Sequence, residues 1–244
     1  LEAIFQTAAQ SCRLHRWFSS DPSRRQELLK PETITLYDLV EYFIKPLSCD
    51  RECSMVELIA NGPQRPDWFV SHWWGETVKD FITCLRGHLA DRGLPETTTY
   101  WVCAYALNQH HLDRELSAAE ADVTKSPFHR AIKLTVGTVS ILDSGARYFT
   151  RVWCGYELYL SIVNHDAGYL HDIYTAVAIK DKYGRELPAI GLVDGYGDDD
   201  LDVVGYHSAE NKHMREAAFP QALLDVAAQF KVSEAAASKE TDRA

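Results

Sequence analysis

A chain of 244 residues with 46% hydrophobic and 25% charged residues has enough apolar material for a sizeable core and excludes global disorder. Its formal net charge of −10 excludes a broad electrostatic surface for nucleic acid, which needs clustered Lys and Arg. No stretch approaches the roughly 20 apolar residues of a membrane span, and Leu1–Cys12 lacks the basic start and apolar core of a signal peptide.

The elements follow in chain order. Leu1–Trp17 reads as a short helix with Leu1, Ile4, Phe5 and Ala8 on one face. Thr35–Phe43 has Leu36, Leu39, Val40 and Phe43 at helical spacing, and Pro46 is expected to end it. Asn61–Pro66 looks like a boundary. Asp67–Ser71 is short and nearly all apolar, as a strand covered on both faces would be. Thr77–Asp91 is an amphipathic helix stopped by Gly93. Thr98–Leu107, rich in Tyr, Trp and Val, is the second strand. A polar stretch, Asn108–Lys125, contains a helical turn at Ser117–Ala121. Ser126-Pro127 opens a helix that Phe128–Val136 continues. Thr138–Leu142 is the third strand, Tyr148–Asn164 a long helix, and Tyr174–Lys180 the fourth strand.

After the link Lys182–Arg185, Pro188–Asp194 makes a fifth strand, antiparallel if it returns through a hairpin. Glu216–Lys231 is a last amphipathic helix, and Ser233–Ala244 is expected to fray. Alternating strands and helices predict an α/β fold: a flavodoxin-like, doubly wound, mainly parallel five-stranded sheet with extra N- and C-terminal helices. Residues 1–65 form a helical accessory segment, 66–204 the α/β domain and 205–244 a helical extension.

The six cysteines are too sparse for a disulfide scaffold, so reduced thiols and a cytoplasmic setting are expected. Cys84 and Cys103 fit core positions. Cys49 and Cys53 form a single C-x3-C with no second pair, and no metal centre is expected. The acidic run Asp198, Asp199, Asp200 and Asp202 reads as a solvated loop, with a divalent cation site as the sharper alternative.

Ligands of doubly wound sheets gather outside the carboxyl ends of the strands. His72, Trp73 and Trp74 follow the first strand there. Adjacent Trp residues cannot both point inward, so one can line a cleft and stack a ring; the alternative is that both cover the sheet edge. His72 is a base, a ligand or a packed ring. Glu157 lies amid Trp153, Tyr156, Leu158, Tyr159 and Leu160, where a carboxyl is costly unless paired or employed. Desolvation there would raise its pKa towards neutrality, and a salt bridge to Arg147 or Arg151 is the rival.

Asp67-Trp68-Phe69-Val70-Ser71, then Gly75-Glu76 and Phe81, resembles the opening strand and first helix of Toll/interleukin-1 receptor (TIR) domains, which read D-V-F-x-S-F-R-G-E-D. Tyr148–Leu158 is similar to their S-x-W-C-x-x-E-L helix, above all in plants. The likeness covers roughly half the chain. It implies that Glu157 is the catalytic glutamate, that Cys154 and Trp153 line the pocket, and that Trp73 and Trp74 stand near the nucleotide. The family's Arg after the first strand is absent here, replaced by Trp73-Trp74. The loop after the second strand reads Ala106–His111 and lacks its glycine.

The resemblance implies an NAD glycohydrolase that takes NAD as substrate, requires no cofactor, and completes its site by self-association. Two other readings stand beside it. One is a non-enzymatic interaction module with protein partners at Asn108–Lys125, and the other is a cyclic nucleotide synthetase in which Cys154 matters more.

Overall fold

The computed structural model describes residues 1–21, 24–176, 179–180, 186–193 and 216–231. Helix α1 (Glu2–His15) buries Ala8, Ala9 and Cys12. Helix α2 (Leu36–Leu39) starts at Thr35, whose hydroxyl accepts from the Asp38 amide. Pro46 does not end this helix as its chemistry predicts. The backbone widens into a π turn, Val40–Ile44, in which the Lys45 amide donates to the Val40 carbonyl. The chain then continues as α3 (Lys45–Ser48). A proline lacks a donor and crowds the preceding turn, and a π turn supplies the room. Helix α4 (Met55–Ile59) is held by a reciprocal cap between Ser54 and Glu57.

Asp38, fully buried, ties this segment together. Its Oδ2 accepts from the Thr35 amide (2.9 Å) and hydroxyl (2.8 Å), and its Oδ1 from the Ser20 amide (2.7 Å) and hydroxyl (2.9 Å). The segment is then sewn to the rest of the fold. The Leu36 amide donates to the Trp74 carbonyl (3.1 Å), and the Val78 amide to the Ile34 carbonyl (2.8 Å).

Strand β1 (Trp68–His72) leads through α5 (Val78–Asp91) to β2 (Tyr100–Trp101). Three helices, α6 (Cys103–Ala106), α7 (Leu112–Ala121) and α8 (Pro127–Ile132), precede β3 (Gly137–Leu142). Helix α9 (Val152–Val163) joins it to β4 (Leu170–Thr175). A two-stranded ladder, β5 (Ile179–Lys180) with β6 (Glu186–Leu187), precedes β7 (Ile190–Leu192), and α10 (Gln221–Ala228) follows. The sheet is five-stranded in the order β2-β1-β3-β4-β7. Only β7 runs antiparallel among its pairings. The architecture is thus flavodoxin-like, with β1 inside the sheet, as its apolar run requires.

Beyond Pro46, α7 is ten residues long where the sequence predicts a turn at Ser117–Ala121, and other elements shift as well. The second strand stops at Trp101, and residues 103–106 turn into α6. It lies at the sheet edge and pairs with β1 only at Tyr100 and Trp101. The fourth strand is Leu170–Thr175, because six residues of β3 pair in register from Gly137–Leu170 to Leu142–Thr175, while Ile179–Lys180 pair with Glu186–Leu187. The long helix is split: Arg147–Thr150 is a 3-10 turn, Arg151 is extended, and α9 starts at Val152. The link Lys182–Arg185, the acidic run Asp198–Asp202 and Ser233–Ala244 lie outside the described residues.

The pleat gives the sheet two different faces. Trp68, Val70, Val139, Ile141 and Tyr174 face α5 and pack with Val78, Phe81, Ile82 and Leu85. The same cluster takes in Ala8, Cys12 and Leu36 of the N-terminal segment. The opposite face, beneath α8 and α9, carries Phe69, Ser71, Thr138 and Ser140, all buried.

One charge sits on the apolar face. Asp172, fully buried, accepts from Arg92 Nε (2.5 Å) and Nη2 (2.7 Å). His88 Nε2 lies 3.0 Å from the same carboxylate, while its Nδ1 is 2.6 Å from the Tyr100 hydroxyl. Burial opposes the charge on Asp172, but His88 and Arg92 more than offset it and hold its carboxyl below the usual range. Arg92→Ala should therefore cost about 3–5 kcal/mol in urea unfolding, because it strips the guanidinium from a buried carboxylate. Glu2→Ala, at the exposed ion pair with Arg86, should change stability by less than about 1 kcal/mol.

Candidate active site

Residues after β1 and on α9 meet at the carboxyl end of the strand. Glu157 is on the face of α9 turned to the sheet and is 5% exposed. Its partner is a hydroxyl: Ser71 Oγ of β1 donates to Glu157 Oε2 in a short hydrogen bond. The Tyr148 hydroxyl is 3.0 Å from Ser71 Oγ and donates to the Cys154 carbonyl at 3.3 Å. Cys154 Sγ in turn donates to the His72 carbonyl at 3.6 Å. Glu157, Cys154, Ser71 and Tyr148 thus form one closed cluster in which β1 and α9 are clasped.

Burial sets the electrostatics. It pushes Glu157 up to about 8, with the Ser71 hydrogen bond a smaller opposing effect. The Cys154 thiol is raised well above its ordinary value by burial and then by Glu157 and Cys103, so it is a neutral wall rather than a thiolate nucleophile.

The aromatic residues divide between two tasks. Trp73 is half-buried, and the Arg147 guanidinium lies 4.9 Å from its ring centroid. Gly75 is what lets that ring fold back, because any Cβ there would collide with it. Trp74 turns inward: its Nε1 donates to Cys103 Sγ at 2.9 Å, and Tyr37 of α2 packs against it at 5.5 Å. Trp153 stacks on Phe128 of α8, centroids 5.0 Å apart.

His72 is not in the cluster. Successive strand residues point to opposite faces, and its ring packs on Phe81 of α5, centroids 4.8 Å apart. Burial lowers it to about 4, and its Nε2 has no hydrogen-bond partner among the described residues. Glu76 follows the same logic: burial, then Asp143 and Asp80, raise its carboxyl well above the ordinary value, and its Oε2 has no partner among the described residues.

The structure therefore joins Glu157 with Cys154, leaves Trp73 and Trp74 at the rim, and sets His72 and Trp153 aside. Ser71, Tyr148 and Tyr37 escaped the sequence reading as site residues. Ser71 carried a signal, a hydroxyl inside an otherwise apolar strand; Tyr37 carried none, since it belongs to the N-terminal segment. Among the described residues, no group of three His, Cys, Asp or Glu side chains could hold a metal, and no helix is long and apolar enough to cross a membrane. No family model, curated protein or solved structure matches the chain.

Glu157 makes stability depend on pH. The folded chain keeps a proton up to about pH 8 that the unfolded chain releases near 4.5, so its contribution is full at acid pH and is lost as pH rises between those values. Glu157→Gln removes that loss. Its stability relative to the parent should climb by on the order of 3 kcal/mol from about pH 5 to about pH 8, read by urea unfolding at each pH. A flat difference would place the ionising group elsewhere.

Proposed function

We propose that the chain is a TIR-like NAD glycohydrolase in a closed, resting form, with Glu157 as its catalytic residue. The observation that carries this reading is the Glu157 carboxyl itself. It sits at the carboxyl end of a doubly wound sheet, beside Cys154 and a ring-bearing rim, with the Ser71 hydroxyl bonded to it. Breaking the bond between ribosyl C1′ and the nicotinamide nitrogen releases a leaving group that is already cationic and needs no proton. Positive charge builds on the ribose, and a nearby carboxylate stabilises it. Trp73, which lies folded over Gly75 with Arg147 above its ring, would turn out on opening to stack a ring of the substrate, and Trp74 would stand behind it. Cys154 would line the pocket.

A closed site needs opening, and self-association is the means this reading supplies. Nicotinamide release should rise more steeply than linearly with protein concentration and vanish in Glu157→Gln. The electrostatic role needs the carboxylate, whose fraction grows with pH through about 8. Release should therefore rise about tenfold between about pH 7 and about pH 9.

One observation favours a second reading, an interaction module without catalysis: Glu157 is shut away from solvent at 5% exposure. Its hydrogen bond to Ser71 would then be a structural clasp between α9 and β1. Absence of nicotinamide release at every concentration and pH would select this reading. Release undiminished in Glu157→Gln would reject Glu157 and keep the activity.

A further inference from the structure

The polar side chains beneath α9 form a connected path. Ser71 Oγ touches Glu157 Oε2 and lies 3.0 Å from the Tyr148 hydroxyl. That hydroxyl is 3.0 Å from Ser140 Oγ, and Ser140 Oγ is 2.9 Å from His171 Nε2. Ser71, Tyr148 and Ser140 are each 1% exposed, whereas His171 is half-buried. Ser71 pairs with Ser140 across β1 and β3, and His171 pairs with Thr138 across β3 and β4. The path thus runs diagonally over one sheet face, from the closed Glu157 to the start of β4. Every intermediate member is a hydroxyl, which accepts one proton while giving up another.

We propose that Ser71, Tyr148 and Ser140 form a buried proton relay between Glu157 and His171, with His171 as the port through which the closed carboxyl exchanges its proton with water. The Glu157 O–H bond breaks as its proton passes to Ser71 Oγ. Ser71 gives its own proton to Tyr148, Tyr148 to Ser140, and Ser140 to His171 Nε2, where an N–H bond forms. The hydroxyls end with one proton each, now pointing the other way. Glu157 is left a carboxylate and His171 an imidazolium, which returns its proton to water. The inference goes beyond the NAD reading and holds for any substrate.

The neighbours of Glu157 leave few other acceptors. Outside the relay, Cys154, Cys103 and Tyr169 face it, and burial makes each hold its own proton more tightly than usual. Arg151, which faces Cys154, is a permanent cation. Asp172, beside His171 in sequence, points to the opposite face and is engaged by Arg92 and His88. Ser71 can direct its proton to Glu157 or to Tyr148, and Tyr148 turns its own from the Cys154 carbonyl at 3.3 Å to Ser140 Oγ at 3.0 Å, so the relay orientation is reached by hydroxyl rotation without moving a heavy atom.

The test is infrared spectroscopy of the full chain after a rapid jump from about pH 6 to about pH 9.5. The protonated Glu157 carboxyl band is assigned by its loss in Glu157→Gln, which separates it from Glu76. Ser140→Ala and His171→Gln should slow decay of that band by at least about tenfold, with the same end point, and Ser140→Thr, which keeps the hydroxyl, should restore the rate. Equal rates in the parent, Ser140→Ala and His171→Gln would overturn the relay. So would a Ser140→Thr rate as slow as that of Ser140→Ala, since packing would then explain both. If Ser140→Ala does not fold, the half-buried His171→Gln decides alone. Slowed decay in a chain that never cleaves NAD would keep the relay and reject the glycohydrolase; unslowed decay in a chain that cleaves NAD would do the reverse.

Discussion

β1 is buried on both sides, and its two sides are asked for opposite chemistry. Towards α5 it offers Trp68 and Val70 to an apolar cluster; towards α9 it offers Phe69 and Ser71, and Ser71 meets an acid. The consequences reach both ends of the pH scale. On one side burial holds His72 neutral down to about 4, on the other it holds Glu157 neutral up to about 8. Each group costs stability where its ordinary form would be charged. His72 takes stability away as pH falls below 6.5, and Glu157 takes it away as pH rises above 4.5. The fold tolerates both because each is an uncharged group in a dry place, which is far less costly than a buried ion.

The N-terminal segment belongs to this arrangement through backbone bonds. Asp38 fixes Thr35, and the residues on either side of Thr35 donate to and accept from the chain just after β1. Those bonds hold Trp74 by its carbonyl and set Tyr37 against its ring. A segment that reads as an accessory in sequence thus supplies one wall of the candidate site. At the other end, α10 and Phe230 close over Gly155, where a Cβ would come within 2.7 Å of the Phe230 ring. The helix that carries Glu157 is therefore held from above as well as from the sheet.

Much of the fold is legible in the residues. The apolar run of β1, the capped amphipathic α5 and the compact β3 lie within a residue or so of where their patterns put them, and the sheet order follows from the alternation of strands and helices. What misleads is local. Thr98–Leu107 is rich in strand-forming residues, but an edge position supports only Tyr100 and Trp101. Pro46 is a helix breaker in isolation, and the π turn before it is a backbone adjustment that no side-chain pattern announces. In the candidate site, Glu157 stands out as a carboxyl among apolar neighbours. Ser71 stands out only as a hydroxyl in an apolar strand, and that it meets Glu157 and Ser140 shows only once the register puts them together. The side of β1 on which His72 falls is likewise invisible until the pleat is fixed.

That same pleat has a consequence for how the sheet finds its pairing. Side chains alternate with a period of two, so a strand that slips by one residue exchanges its faces completely. In most sheets such an error exposes apolar groups to water on one side. Here it would fail twice. A slipped β3 would drive Thr138 and Ser140 against Phe81 and Leu85, and would press Val139 and Ile141 onto the carboxyl of Glu157. The hydroxyls therefore act as a proofreading code for strand alignment, in which wrong alignments are penalised in the core and at the acid together.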